Sequence, residues 1–149
     1  MSRLGVLFTM CLCVTRVAAQ DVKVQVATQQ PPYYVGEPVV IQFTVEGFDE
    51  QPEPACAMEA SVDGLRGQMV GANPSVFSKI VQRNGRICQS KTITFRINYV
   101  VTADRPGEYS IGPFTLKQGK KRARVEPLKM SFNDVPFDPN MRVRLILPE

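Results

Sequence analysis

Thr92-Ile93-Thr94-Phe95-Arg96-Ile97-Asn98-Tyr99-Val100-Val101 is the stretch that decides the fold. Ile93, Phe95, Ile97, Tyr99 and Val101 alternate with Thr92, Thr94, Arg96 and Asn98. Successive side chains of an extended chain point to opposite faces, so this segment turns one apolar row inward and one largely polar row outward. That is the pattern of a strand in a sheet packed on one side. The same period of two recurs upstream, where Val39, Ile41, Phe43 and Val45 alternate with Val40, Gln42, Thr44 and Glu46, and Val22, Val24 and Val26 alternate with Lys23 and Gln25. Weaker strands are expected over residues 65–70, 76–81, 107–111, 114–117, 123–125 and 128–132. No stretch carries a helical apolar stripe.

The punctuation between these runs agrees. Asn84-Gly85 sits between two strand-like segments, and both residues tolerate the positive φ that a tight hairpin requires. Gly119 marks a second hairpin, Gly36-Glu37-Pro38 launches the strand beginning at Val39, and Asp104-Arg105-Pro106-Gly107 makes a further turn. Short strands with turns at this spacing predict an all-β protein, an immunoglobulin-like antiparallel sandwich of about seven strands. We place this domain at residues 20–133.

Residues 1–19 read as a secretion signal: Arg3 gives a positive start, an apolar run covers residues 4–14, and Val17-Ala18-Ala19 supplies small residues for cleavage before Gln20. The apolar run is short for a membrane span. The protein is therefore expected outside the cytoplasm, in the periplasm or cell envelope. Loss of Arg3 and Arg16 with the leader lowers the formal charge from +4 to +2, too small an excess for a nucleic-acid binder. Export also leaves Cys56 and Cys88 as the remaining thiols. They either form a disulfide closing a loop of about 33 residues, worth roughly 3–4 kcal/mol, or are two unrelated thiols. Residues 134–149 read as a linker followed by Met141-Arg142-Val143-Arg144-Leu145-Ile146-Leu147, a fresh alternating strand. That strand either begins a second domain or pairs back onto a free sheet edge.

Catalytic chemistry has little to stand on. With no histidine, serine and cysteine triads lack their usual base. Asp49 and Glu50 are adjacent carboxylates in a loop bounded by Gly and Pro. No phosphate-binding glycine loop or calcium-loop spacing is present, so no catalytic, metal or cofactor site and no small-molecule substrate is expected. Three features remain as contact candidates. The basic run on the second hairpin places Lys120, Arg122 and Arg124 on one face, either as a patch for an acidic partner or as charges that keep an edge strand unpaired. Tyr33 and Tyr34 are either an exposed aromatic contact or a cap on the sandwich end. Residues 48–58 form the most loop-like stretch, and binding residues tend to sit on such loops.

The order of motifs resembles one known family. Val35-Gly36-Glu37-Pro38-Val39 opens a strand that ends at Val45-Glu46-Gly47; Gly64-Leu65, residues 75–81, Asn84-Gly85 and the strand at residues 92–101 follow. The series closes on Pro106-Gly107-Glu108-Tyr109-Ser110-Ile111-Gly112-Pro113-Phe114 and a basic hairpin. This arrangement is similar to the first extracytoplasmic domain of the BatD family, the oxygen-tolerance proteins of bacteria, over residues 22–132. The resemblance implies a periplasmic β-sandwich that binds or scaffolds envelope and membrane proteins. It implies company with MoxR ATPases and von Willebrand A-domain proteins in envelope stress or oxygen tolerance. Membrane association would then come through a further C-terminal part or through partners. An adhesin or glycan-binding module, and a structural spacer, are the competing readings.

Overall fold

The stretch around Phe95 lies inside a four-stranded sheet. The computed structural model describes residues 22–136, so the leader, the strand-like segment at residues 141–147 and any second domain lie outside the described residues. Ten strands follow in order: β1 (Lys23–Thr28), β2 (Tyr33–Tyr34), β3 (Val39–Glu46), β4 (Ala55–Met58), β5 (Leu65–Arg83), β6 (Arg86–Ala103), β7 (Gly107–Ile111), β8 (Phe114–Gln118), β9 (Lys121–Val125) and β10 (Leu128–Asn133). The sheets are ordered β1-β3-β6-β5, β2-β10-β7 and β4-β8-β9. The all-β sandwich is as expected, but it uses ten strands rather than about seven. β2 and β4 have only two and four residues, too short for alternation to announce them.

Alternation becomes pairing between β3 and β6, where Ile41 opposes Tyr99, Phe43 opposes Ile97 and Val45 opposes Phe95. Ile41, Phe43, Val45, Phe95, Ile97 and Val101 are buried on this face. Ile111, Phe114, Leu116 and Phe132 are the most deeply buried apolar side chains of the smaller sheets. Phe114 ties the layers together, with its ring edge-on to Phe43 at 5.0 Å and to Tyr99 at 5.1 Å. Each such aromatic adds roughly 1.5–3 kcal/mol from burial alone.

β5 departs from the simple period. Its register against β6 shifts between Met69 and Gly71, so the residues opposite inward-facing Val101 and Tyr99 are Gly67 and Met69, while those opposite Ile97 and Phe95 are Ala72 and Pro74. A bulge inserts one residue and changes which parity faces the core. This is why the sequence suggests two separate strands at 65–70 and 76–81 where the protein has one.

Beyond the bulge β5 and β6 continue together as a two-stranded arm. β6 pairs with β3 only as far as Thr94, yet it keeps pairing with β5 out to Arg83 opposite Arg86. From Val76 to Arg83 the arm extends about 24 Å at roughly 3.4 Å per residue. It turns at Asn84 and Gly85, whose φ values of 50° and 73° are those of a tight hairpin loop. The shorter β8–β9 hairpin turns at Gly119, with φ 57°.

Candidate interaction surface

The basic row does not assemble as the sequence suggested. Lys120 falls in the turn before β9, while Arg122 and Arg124 share the exposed face of that strand. Arg124 is already engaged, its Nε lying 3.3 Å from Glu59 Oε1 and its Nη1 3.9 Å from Glu126 Oε1. Thr115 Oγ1 also donates to Glu59, and this bond, helped by the Arg124 guanidinium and the Lys117 charge against slight desolvation, holds the carboxyl below its ordinary range. Lys121 is the tethered lysine of the hairpin: its Nζ reaches Gly47 O at 2.8 Å and Asp49 Oδ1 at 2.9 Å. The expected three-cation face is therefore corrected to two exposed arginines, one of them paired.

Tyr33 is core rather than contact. It is 8% exposed, its ring stands 5.7 Å from Phe132, and its hydroxyl donates to Gln29 O at 2.5 Å. Tyr34 is half-buried beside it, so the pair makes no exposed aromatic patch. The two-residue pairing of β2 with Phe132 and Asn133 pulls the Pro31-Pro32 lead-in onto the sandwich.

Both thiols, Cys56 and Cys88, are free in this structure. Cys56 sits on β4 opposite Leu116, with its backbone N–H 3.3 Å from Met69 Sδ. Cys88 rides on the arm opposite Val81 and is exposed. Burial pushes the Cys56 thiol up to about 12. The segment 48–58 is less loop-like than its composition suggests. Phe48 is buried with its ring 6.4 Å from Phe95, and Ala55–Met58 is β4. Between them buried Gln118 clamps the turn: Nε2 donates to Asp49 O and Pro52 O, and Oε1 accepts from Asp49 N, all at 2.6 Å. Asp49 and Glu50 point outward and bridge Lys121 and Lys91.

No group of three potential metal ligands occurs among the described residues. A depression of about 360 Å³ runs over β7 and β10 and is lined by Glu108, Tyr109, Ser110, Lys129, Met130 and Ser131. Tyr109 commits its hydroxyl to Arg105 O at 2.8 Å, and no buried polar side chain among the described residues lacks a partner.

The arm is the surface feature that the sequence reading missed. Residues 75–82 and 84–92 are all exposed. The face continuing the core side carries Val76, Ile80 and Ile87, and the opposite face carries Phe77 and Val81. Phe77, Ile80 and Ile87 are 66%, 67% and 73% exposed, unusual for large apolar side chains gathered on one element. The signal was present: apolar residues fall at both parities between Val76 and Val81, so neither face could be wholly polar. Every charge between Ser75 and Thr92 is positive, at Lys79, Arg83, Arg86 and Lys91.

Fold and surface together define an all-β sandwich domain that offers strand edges and a projecting hairpin. Residues 25–131 match the family model of the BatD DUF11 like domain. The chain belongs to the BatD family, which is not a known enzyme family and in which this domain is extracytoplasmic. No curated protein and no solved structure matches the chain. Among the described residues no helix is long and apolar enough to cross a membrane.

Proposed function

We propose that this chain is a non-catalytic binding and scaffolding domain of the cell envelope, acting on other envelope or membrane proteins by surface contact. Membership of the BatD family over residues 25–131 is the observation that carries the reading. The chemistry is consistent with it: among the described residues the buried side-chain polar groups are satisfied, and strand edges such as that of β5 remain open. Partners that add a strand to such an edge gain main-chain hydrogen bonds for affinity and side-chain pockets for specificity. By the family's pattern the partners are von Willebrand A-domain proteins working with a MoxR ATPase in envelope stress or oxygen tolerance. The glycan-binding alternative loses its main support, since Tyr33 is in the core.

A crosslinking pull-down from membranes, with the tagged chain as bait and mass spectrometry as readout, tests this. Enrichment of von Willebrand A-domain proteins over an unrelated sandwich bait is the expected result. An eluate no richer than that control overturns the reading and leaves a structural spacer.

A further inference from the structure

An isolated two-stranded ribbon is marginal in water, and a long, flat, apolar edge strand is a template for another chain. The β5–β6 arm is such a ribbon. β5 is the terminal strand of its sheet, and residues 75–82, Ser-Val-Phe-Ser-Lys-Ile-Val-Gln, are exposed with Lys79 as the one charge. Arg86 and Lys91 belong to β6, the strand away from this edge.

What covers the edge follows from its chemistry. Lipid hydrocarbon offers no groups for the free N–H and C=O of β5 and would have to accept the cationic tip. An acidic protein would be drawn to the β6 side, where Arg86 sits, rather than to the β5 edge with its single Lys79. A second copy of the same edge fits with no two like charges directly opposite each other. In an antiparallel two-fold pairing with Ser78 on the axis, Val76 faces Ile80 of the other copy, Ile80 faces its Val76, and Phe77 faces its Lys79. The two apolar pairs and two cation–π pairs are all favourable cross-strand neighbours. Moving the axis by one residue to Lys79 would set two lysines directly opposite each other, which is unfavourable.

We propose that the arm is a homodimerisation element: two copies pair their β5 edges over residues 75–82, about Ser78, into a continuous sheet ordered β6-β5-β5-β6. The pairing is isologous, as a two-fold interface requires. It is small, so association is weak and concentration-dependent. It stands apart from the scaffolding reading: a chain that dimerises yet captures no envelope protein keeps this inference and loses that one.

The test uses the purified mature chain beginning at Gln20, in which Cys88 is the accessible thiol because Cys56 is buried. Sedimentation equilibrium up to about 1 mM, a range suited to a small interface, reads the mass. A monomer–dimer equilibrium is expected. V76E and I80K should each weaken it at least about tenfold, while an equal mixture of the two should restore it by pairing Glu with Lys across the edge. Their melting temperatures should match the parent, since both sites are exposed. A spin label on Cys88 adds the geometry. Three strand spacings of about 4.8 Å and an offset of six residues place the two Cys88 Cα atoms about 25 Å apart in the dimer. A monomer at every concentration overturns the proposal, as does a dimer indifferent to both substitutions or one whose label distance departs from this register. A monomer that co-sediments with phosphatidylglycerol vesicles overturns it in favour of a lipid surface.

Discussion

Gly67 lies beneath the ring of Tyr99, and a Cβ added there would stand 2.7 Å from Tyr99 Cε1 and 3.0 Å from its hydroxyl oxygen. Tyr99 has little room to retreat, because it is buried with its ring 5.1 Å from Phe114. Gly67→Ala should therefore destabilise by about 1–3 kcal/mol through overpacking, read as a lower urea midpoint, whereas Gly71→Ala, with open space around it, should be far milder. Cys56 supplies a pH signature. Its thiol titrates at about 12 in the folded protein against 9.0 unfolded, so the folded state holds its proton more tightly. Stability is unaffected below the unfolded value and falls as pH rises from 9.0 towards 12, where the unfolded chain alone gains a thiolate. Burial raises the Tyr99 hydroxyl too, adding to the same alkaline loss. Urea midpoints at pH 8 and pH 10.5 should show the drop, and Cys56→Ala should reduce it. In the native state a thiol reagent should modify Cys88 and spare Cys56.

Among the elements, β5 and β6 each do two jobs along one strand. Their inner halves, joined to β3, build the core; their outer halves build the arm. The bulge between Met69 and Gly71 lies within the inner half, where Gly71 opposes Asn98. Since arm side chains bury little, removing them should spare the fold. Replacing residues 78–91 by Asn-Gly closes a hairpin at the Phe77–Thr92 pair and keeps the register. This variant should retain the far-ultraviolet spectrum and lie within about 1 kcal/mol of the parent by urea melt, the lost Lys91–Glu50 bridge being exposed and of small value. A cooperative loss of structure instead would show that the arm is part of the folding core.

For the whole molecule, burial predicts a gradient of local stability. Segments with few buried contacts open at low cost, whereas core strands open only with global unfolding. Amide exchange at low concentration should be fast over residues 75–92 and slowest over β3 and the 94–101 portion of β6. Edge pairing between copies should slow exchange in residues 75–82 as concentration rises, while leaving the turn at Asn84 and Gly85 fast.

Local rules carried the fold class, the strands at residues 39–46 and 94–101, and the turns at Asn84-Gly85 and Gly119. Each depends on side-chain alternation or on φ preferences set by the residue itself. What the tertiary structure decided is who lies opposite whom. Tyr33 went inside because Phe132 pairs beside it, and Arg124 was neutralised because Glu59 leaves β4 nearby. Cys56 and Cys88 ended up on different elements because β6 outruns β3 by eight residues, from Arg86 to Ile93. Alternation states that a strand has two faces; only the packing of other strands determines where along its length those faces are covered.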